Sequence, residues 1–175
     1  MHQAPLTAVV RPLRYSFEVD STTVSLLNQL IATTLDGERG FRAAANEISD
    51  PLIRSVLDDC AVRCRDSIKE LEKHVRDLNA KPALNGSAIG VLHRAWLEAT
   101  SRFTGHNTVT ILRECERGEL HAKSRYEDVL KQRLPEDIRE VVKRQYQGIV
   151  ANQQVLQEHR SASAIPRPRV ATGNK

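Results

Sequence analysis

The chain has 175 residues, 40% of them hydrophobic but only 4% aromatic, and a formal net charge of +4. That length predicts one domain, and a core built from Leu, Ile, Val and Ala suits helices. No apolar run approaches the ~20 residues that cross a bilayer, and the N-terminal MHQAPLTAVVRPLRYS lacks the basic and apolar regions of a secretory leader, so a cytoplasmic protein without a membrane segment is expected.

The positive charge is local. Arg11 and Arg14 balance Glu18 and Asp20, whereas Arg167, Arg169 and Lys175 are unopposed at the C-terminus. A basic tail, not a basic face, therefore sets the pI, and strong nucleic-acid binding by the body is not expected. Cys60, Cys64 and Cys115 make an odd count, and Cys60 and Cys64 lie four apart in a helical pattern, which suits reduced thiols.

Residues 1–20 contain Pro5 and Pro12 and show no sustained period, so they read as an extended N-terminal arm. A first helix is predicted from about Thr22, with Val24, Leu27, Ile31, Thr34, Glu38, Phe41, Ala45 and Ile48 spaced three or four apart as a bundle seam. Asp50 before Pro51 is a helix start, with a capping carboxylate ahead of a first-turn proline. The second helix runs to about Leu78 along Ile53, Leu57, Cys60, Cys64, Ser67, Leu71, His74 and Leu78.

Asn79 to Gly86 reads as a loop, followed by a shorter helix with Ile89, Leu92, Trp96 and Phe103 on one face. The third helix carries Leu112, Cys115, Glu119, Ala122, Tyr126 and Val129. Leu134-Pro135-Glu136 is a tight junction, and the fourth helix carries Ile138, Val142, Gln145, Ile149, Asn152, Leu156 and His159. Residues 21–160 thus form the bundle domain, and residues 161–175 read as a disordered basic tail.

Short joints after the first and third helices make two antiparallel hairpins. The segment between them, helical over ~17 residues, would reach roughly 25 Å, enough to travel the bundle. The expected fold is all-α: a ferritin-like four-helix bundle with an additional crossover helix between the second and third helices, docked with Trp96 inward.

Glu38 and Glu119 occupy seam positions that call for apolar residues. Their depths of about 16 Å and about 21 Å from opposite ends put them within about one turn of each other. A buried carboxylate needs a partner. One option is a shared cation, held by Glu38 and Glu119 with help from Glu116, and oxygen donors favour iron or manganese. The other is neutralisation by Arg63 and Arg144 at the same level. The Glu-x-x-His pairs of ferritin-like metal sites are missing from the second and fourth helices. The three thiols read as small core fillers, with a soft-metal set as the alternative.

Asp36-Gly37-Glu38-Arg39-Gly40-Phe41, His93-Arg94-Ala95-Trp96, Glu114-Cys115-Glu116-Arg117-Gly118-Glu119 and Arg144-Gln145-Tyr146 resemble the bacterial ferritin-like four-helix-bundle family of unknown function. The resemblance runs from about residue 22 to 160 and implies the fold and a bacterial cytoplasmic setting, but no activity.

Three functions follow as expectations. The first is a non-enzymatic interaction or stress-associated module, acting as a homo-oligomer (a dimer) or with a protein partner. The second is an unusual carboxylate site for iron or manganese. The third is weak DNA association through Arg167, Arg169 and Lys175, with a salt slope of about −2.7 for three phosphates.

Overall fold

The computed structural model describes residues 13–85 and 107–164, with side chains from residue 21 onward. Four helices make up the fold: α1 (Leu13–Glu47), α2 (Pro51–Asp77), α3 (Thr108–Leu130) and α4 (Glu136–Ala164).

Two boundaries differ from the sequence reading. α1 begins at Leu13, so residues 13–20 belong to the helix and not to an extended arm. This segment has no breaker after Pro12, and it continues a helix that is already nucleated, which is easier than starting one. α4 runs on to Ala164, past Arg160. The expected crossover helix with Trp96, and the tail with Arg167, Arg169 and Lys175, lie outside the described residues.

The joints are built by local chemistry. Asp50 accepts hydrogen bonds from the Leu52 amide at 2.9 Å and the Ile53 amide at 3.4 Å, and Pro51 follows where no amide is needed. Arg54 donates twice to the Ile48 carbonyl, satisfying the end of α1. α2 ends on Asn79 at φ 55, with the Ala80 amide reaching Val75 and the Asn79 amide reaching Arg76. Asparagine takes the left-handed position that glycine more often fills in this six-to-one cap. Asn107 caps α3 by accepting from the Val109 amide at 3.0 Å. Arg139 donates to the carbonyls of Leu130 and Gln132, both at 2.8 Å, closing the joint between α3 and α4.

The hydrophobic core is divided in two. At the α1–α2 joint, Phe41, Ala45, Ile48, Ile53, Leu57 and Cys60 pack with Leu112 near the start of α3 and Leu156 towards the end of α4. At the far end, Leu27, Leu30, Ile31, Ile68, Leu71 and Val75 pack with Tyr126, Val129, Ile138 and Val142, next to the α3–α4 joint. α2 therefore ends at the opposite end of the bundle from the start of α3. The connection between them is a crossover, which is the ferritin-like connectivity and not that of an up-and-down bundle. α1 packs on α2 and α3, and α4 packs on α3 and α2.

The seam of α2 differs in detail from the sequence reading. Ile68 and Val75 are buried, while Ser67 and His74 are half-buried. Both stripes pass through Cys64, Leu71 and Leu78 with three–four steps, so spacing does not separate them. Residue type does, because an aliphatic side chain gains from burial where serine and histidine do not.

Candidate functional site

Between the two apolar cores lies a hollow layer, where polar groups are set in a wall that is mostly apolar in area. An open cavity of about 1020 Å³ is lined by all four helices. α1 contributes Thr34, Gly37, Gly40 and Phe41, and α2 contributes Arg63, Cys64, Ser67 and Glu70. From α3 come Ile111, Cys115, Gly118, Glu119 and Tyr126, and from α4 come Gln145, Gly148, Ile149 and Asn152. Small and polar residues at the mid-height of each helix keep the layer open. A Cβ placed on Gly40, Gly118 or Gly148 would have no neighbouring atom within 4 Å. Glycine inside a helix costs about 1 kcal/mol relative to alanine, so these positions are not chosen for stability.

Glu119 is the centre of the lower half of the layer. It is 4% exposed. Its Oε1 accepts from Asn152 Nδ2 at 3.5 Å, while its Oε2 is buried with no partner. Asn152 Oδ1 in turn accepts from Arg63 Nε at 2.8 Å, and Arg63 Nη2 donates to Cys60 Sγ at 3.1 Å. Burial pushes the Glu119 carboxyl up to about 8, against the opposing effects of the Asn152 hydrogen bond and the Arg63 charge. The group is thus mostly a neutral acid at pH 7.

The upper half is a hydrogen-bonded chain. Gln145 Nε2 donates to Glu70 Oε2 at 2.9 Å and to the Ser67 carbonyl at 3.3 Å, so its Oε1 faces Tyr126 and must accept. Tyr126 therefore donates to Gln145 at 2.9 Å, while Thr34, whose hydroxyl donates to the Leu30 carbonyl at 2.8 Å, lies 3.0 Å from the phenol oxygen. Arg144 closes the chain on Glu70. Burial pushes Glu70 up, but the Gln145 and Arg144 hydrogen bonds outweigh it and hold the carboxyl below its ordinary value. Buried Tyr126 is pushed up by loss of hydration.

The thiols behave as a group. Burial pushes Cys60 up to about 11, and raises Cys64 and Cys115 further, with Glu119 adding to each. They stand as un-ionised thiols at neutral pH, poor nucleophiles and poor ligands until deprotonated.

The residues singled out from the sequence are only partly brought together. Antiparallel packing with Thr34 on Tyr126 sets Glu119 level with Phe41, within about one turn of Glu38. Glu38, however, pairs with Arg42 on its own helix and lies 3.6 Å from Arg65. Glu116 pairs with Arg160 at 2.6 Å. The expected partners were Arg63 and Arg144, but Arg63 serves Asn152 and Cys60, and Arg144 serves Glu70. Buried Glu114, which pairs with Arg117, was not anticipated, because its place falls between the three–four steps of the α3 seam. Among the described residues, no group of three or more His, Cys, Asp or Glu side chains is arranged to hold a metal ion.

The connectivity and the hollow mid-layer define a ferritin-like four-helix bundle. Solved structures agree. The ferritin-like domain-containing protein of Anabaena variabilis, which also has a DJ-1/ThiJ/PfpI-like domain, matches 89% of this chain with TM-score 0.67 and 14% identity. This chain spans 42% of that protein's length. The dodecameric thioferritin of Bacteroides fragilis, a bacterioferritin-related protein, matches 86% of this chain and 95% of its own, again with TM-score 0.67 and 14% identity. No curated protein matches the chain. Residues 22–132 match the family described as "Domain of unknown function (DUF2383)", and the chain belongs to that family.

Proposed function

We propose that this protein is a non-enzymatic binding module whose working part is the hollow layer between its two cores. The observation that carries this reading is the buried Glu119 Oε2, without a partner, on the wall of an open cavity of about 1020 Å³. A buried carboxyl oxygen without a partner costs roughly 1–3 kcal/mol, and it is relieved by a molecule that hydrogen-bonds to it. Cys64, Cys115 and Tyr126 in the wall, all raised by burial, supply no ionised nucleophile at neutral pH, which supports binding over turnover. The neutral dye Nile red tests the reading. It should bind with one site per chain and lose that site in Gly148→Trp, which fills the cavity from α4. Dye binding that is unchanged in Gly148→Trp counts against the cavity.

Iron or manganese is a second reading, favoured by the same orphaned oxygen. Glu38 and Glu116 would have to leave their arginines to join Glu119. Elemental analysis of protein purified from its native host decides it, and a stoichiometric metal would favour this reading over the first.

A homo-oligomer fits either reading. The dodecameric state of the Bacteroides fragilis thioferritin is a precedent within the fold. Among the described residues no helix is long and apolar enough to cross a membrane. A cytoplasmic setting and weak DNA association through the tail remain part of the proposal. A gel shift of the full chain against residues 1–160 tests the tail, and equal binding by both would dismiss it.

A further inference from the structure

The wall of the cavity specifies the class of molecule it takes. Glu119 Oε2 is the one orphaned carboxylate oxygen among the described residues, and the group that holds it is nine-tenths buried. The nearest guanidinium, Arg63, is already engaged by Asn152 and Cys60 and offers Glu119 no hydrogen bond. Phe41, Ile111 and Ile149 give the same cavity an apolar side.

We propose that the cavity binds a small organic cation, a protonated amine on an apolar or aromatic body, with its ammonium group donating to Glu119 Oε2. This rests on the reading of the hollow layer as a ligand site. The charge balance is simple. The amine arrives as its ammonium form, Glu119 gives up its proton to solvent, and the resulting ion pair is neutral within the layer. The groups that face Glu119 are Arg63, Cys60 and Cys64 from α2, Cys115 and Tyr126 from its own helix, and the neutral Asn152 amide from α4. From α1, Glu38 acts on Cys64. The thiols are un-ionised at neutral pH, His121 also lines the cavity, and the Glu119→Gln comparison identifies Glu119 as the source of the proton.

Calorimetry on the full chain near pH 7, in two buffers of different ionisation enthalpy, tests this with phenethylamine and its neutral isostere 2-phenylethanol. The amine is expected to bind about tenfold tighter or better, because a charged hydrogen bond replaces a neutral one. It should release close to one proton, while the alcohol releases none. In Glu119→Gln, which keeps the volume and the Asn152 contact, the preference and the proton release should both vanish while the alcohol still binds. Equal binding of amine and alcohol without proton release would overturn the cation but leave the Nile red site standing. An amine preference that survives Glu119→Gln would put the charge recognition elsewhere and also overturn it. Failure of both compounds together with the dye would remove the cavity reading itself.

Discussion

Arg63 and Glu119 face each other across the Asn152 amide and do not pair directly. The amide accepts from Arg63 on one side and donates to Glu119 on the other. Asn152→Leu should therefore leave the buried Glu119 carboxyl without its donor, while the exposed Arg63 keeps its contact with Cys60. We expect a loss of roughly 1–3 kcal/mol, since Glu119 loses its hydrogen-bond partner. Urea denaturation measures it. A loss below about 0.5 kcal/mol would mean that the bridge contributes nothing.

The pH dependence of stability follows from Glu119. Its folded value of about 8 lies above the ordinary carboxylate value. Between the two, the unfolded chain has released the proton and the folded chain holds it, so the unfolded state binds fewer protons and stability falls as pH rises. The contribution is fully present at low pH and is lost as pH rises towards 8. The slope due to this group is about 1.4 kcal/mol per pH unit between about pH 5 and pH 8. Glu119→Gln should remove it, so the stability curves of wild type and variant diverge with rising pH. Parallel curves would contradict a buried neutral Glu119.

Tyr126→Phe breaks the upper chain while keeping the ring. Gln145 Oε1 loses its donor and Thr34 loses a polar neighbour, deep in the bundle, although Thr34 still donates to the Leu30 carbonyl. A cost of about 1–3 kcal/mol is expected for the unsatisfied group. Gln145→Leu should show strong coupling to it in a double-mutant cycle, because both substitutions cut one network. Strict additivity would show that the hydroxyl and the amide are independent.

Gly148→Ala should raise stability by roughly 0.5–1 kcal/mol, since the added methyl meets no atom within 4 Å and the helix gains a better former. Gly40→Ala should behave alike. A drop in melting temperature for either would show that the space is needed by something the helix end-on geometry does not reveal.

Leu57 and Leu71 are both fully buried on α2, in different cores. Each Leu→Ala change should cost about 2–5 kcal/mol through lost burial and a cavity. Because the hollow layer separates the two sites, the double variant should lose the sum within about 0.5 kcal/mol. A clear excess would indicate one continuous core.

The four described helices, the joints between the first and second and between the third and fourth, and most of the buried faces follow from the sequence alone, whereas the start of α1 and the end of α4 do not. Asp50-Pro51, Asn79 and Leu134-Pro135-Glu136 act through bonds to backbone a few residues away, and a three–four stripe such as Ile138, Val142, Gln145, Asn152 and Leu156 is a property of one helix. The polar intruders Glu38 and Glu119 stand out in the sequence as exceptions in a seam. The tertiary structure decided what answers them. Glu38 found Arg42 and Arg65, Glu116 found Arg160, and Glu119 found only an asparagine. Sequence spacing gives a residue's height and face to within a turn, about 5 Å. A hydrogen bond needs a donor within about 3 Å at the right angle, and long arginine side chains reach several carboxylates from one helix position. The hollow layer has the same origin: each helix contributes only a small residue or two, and a void exists only where four such stretches meet at one level.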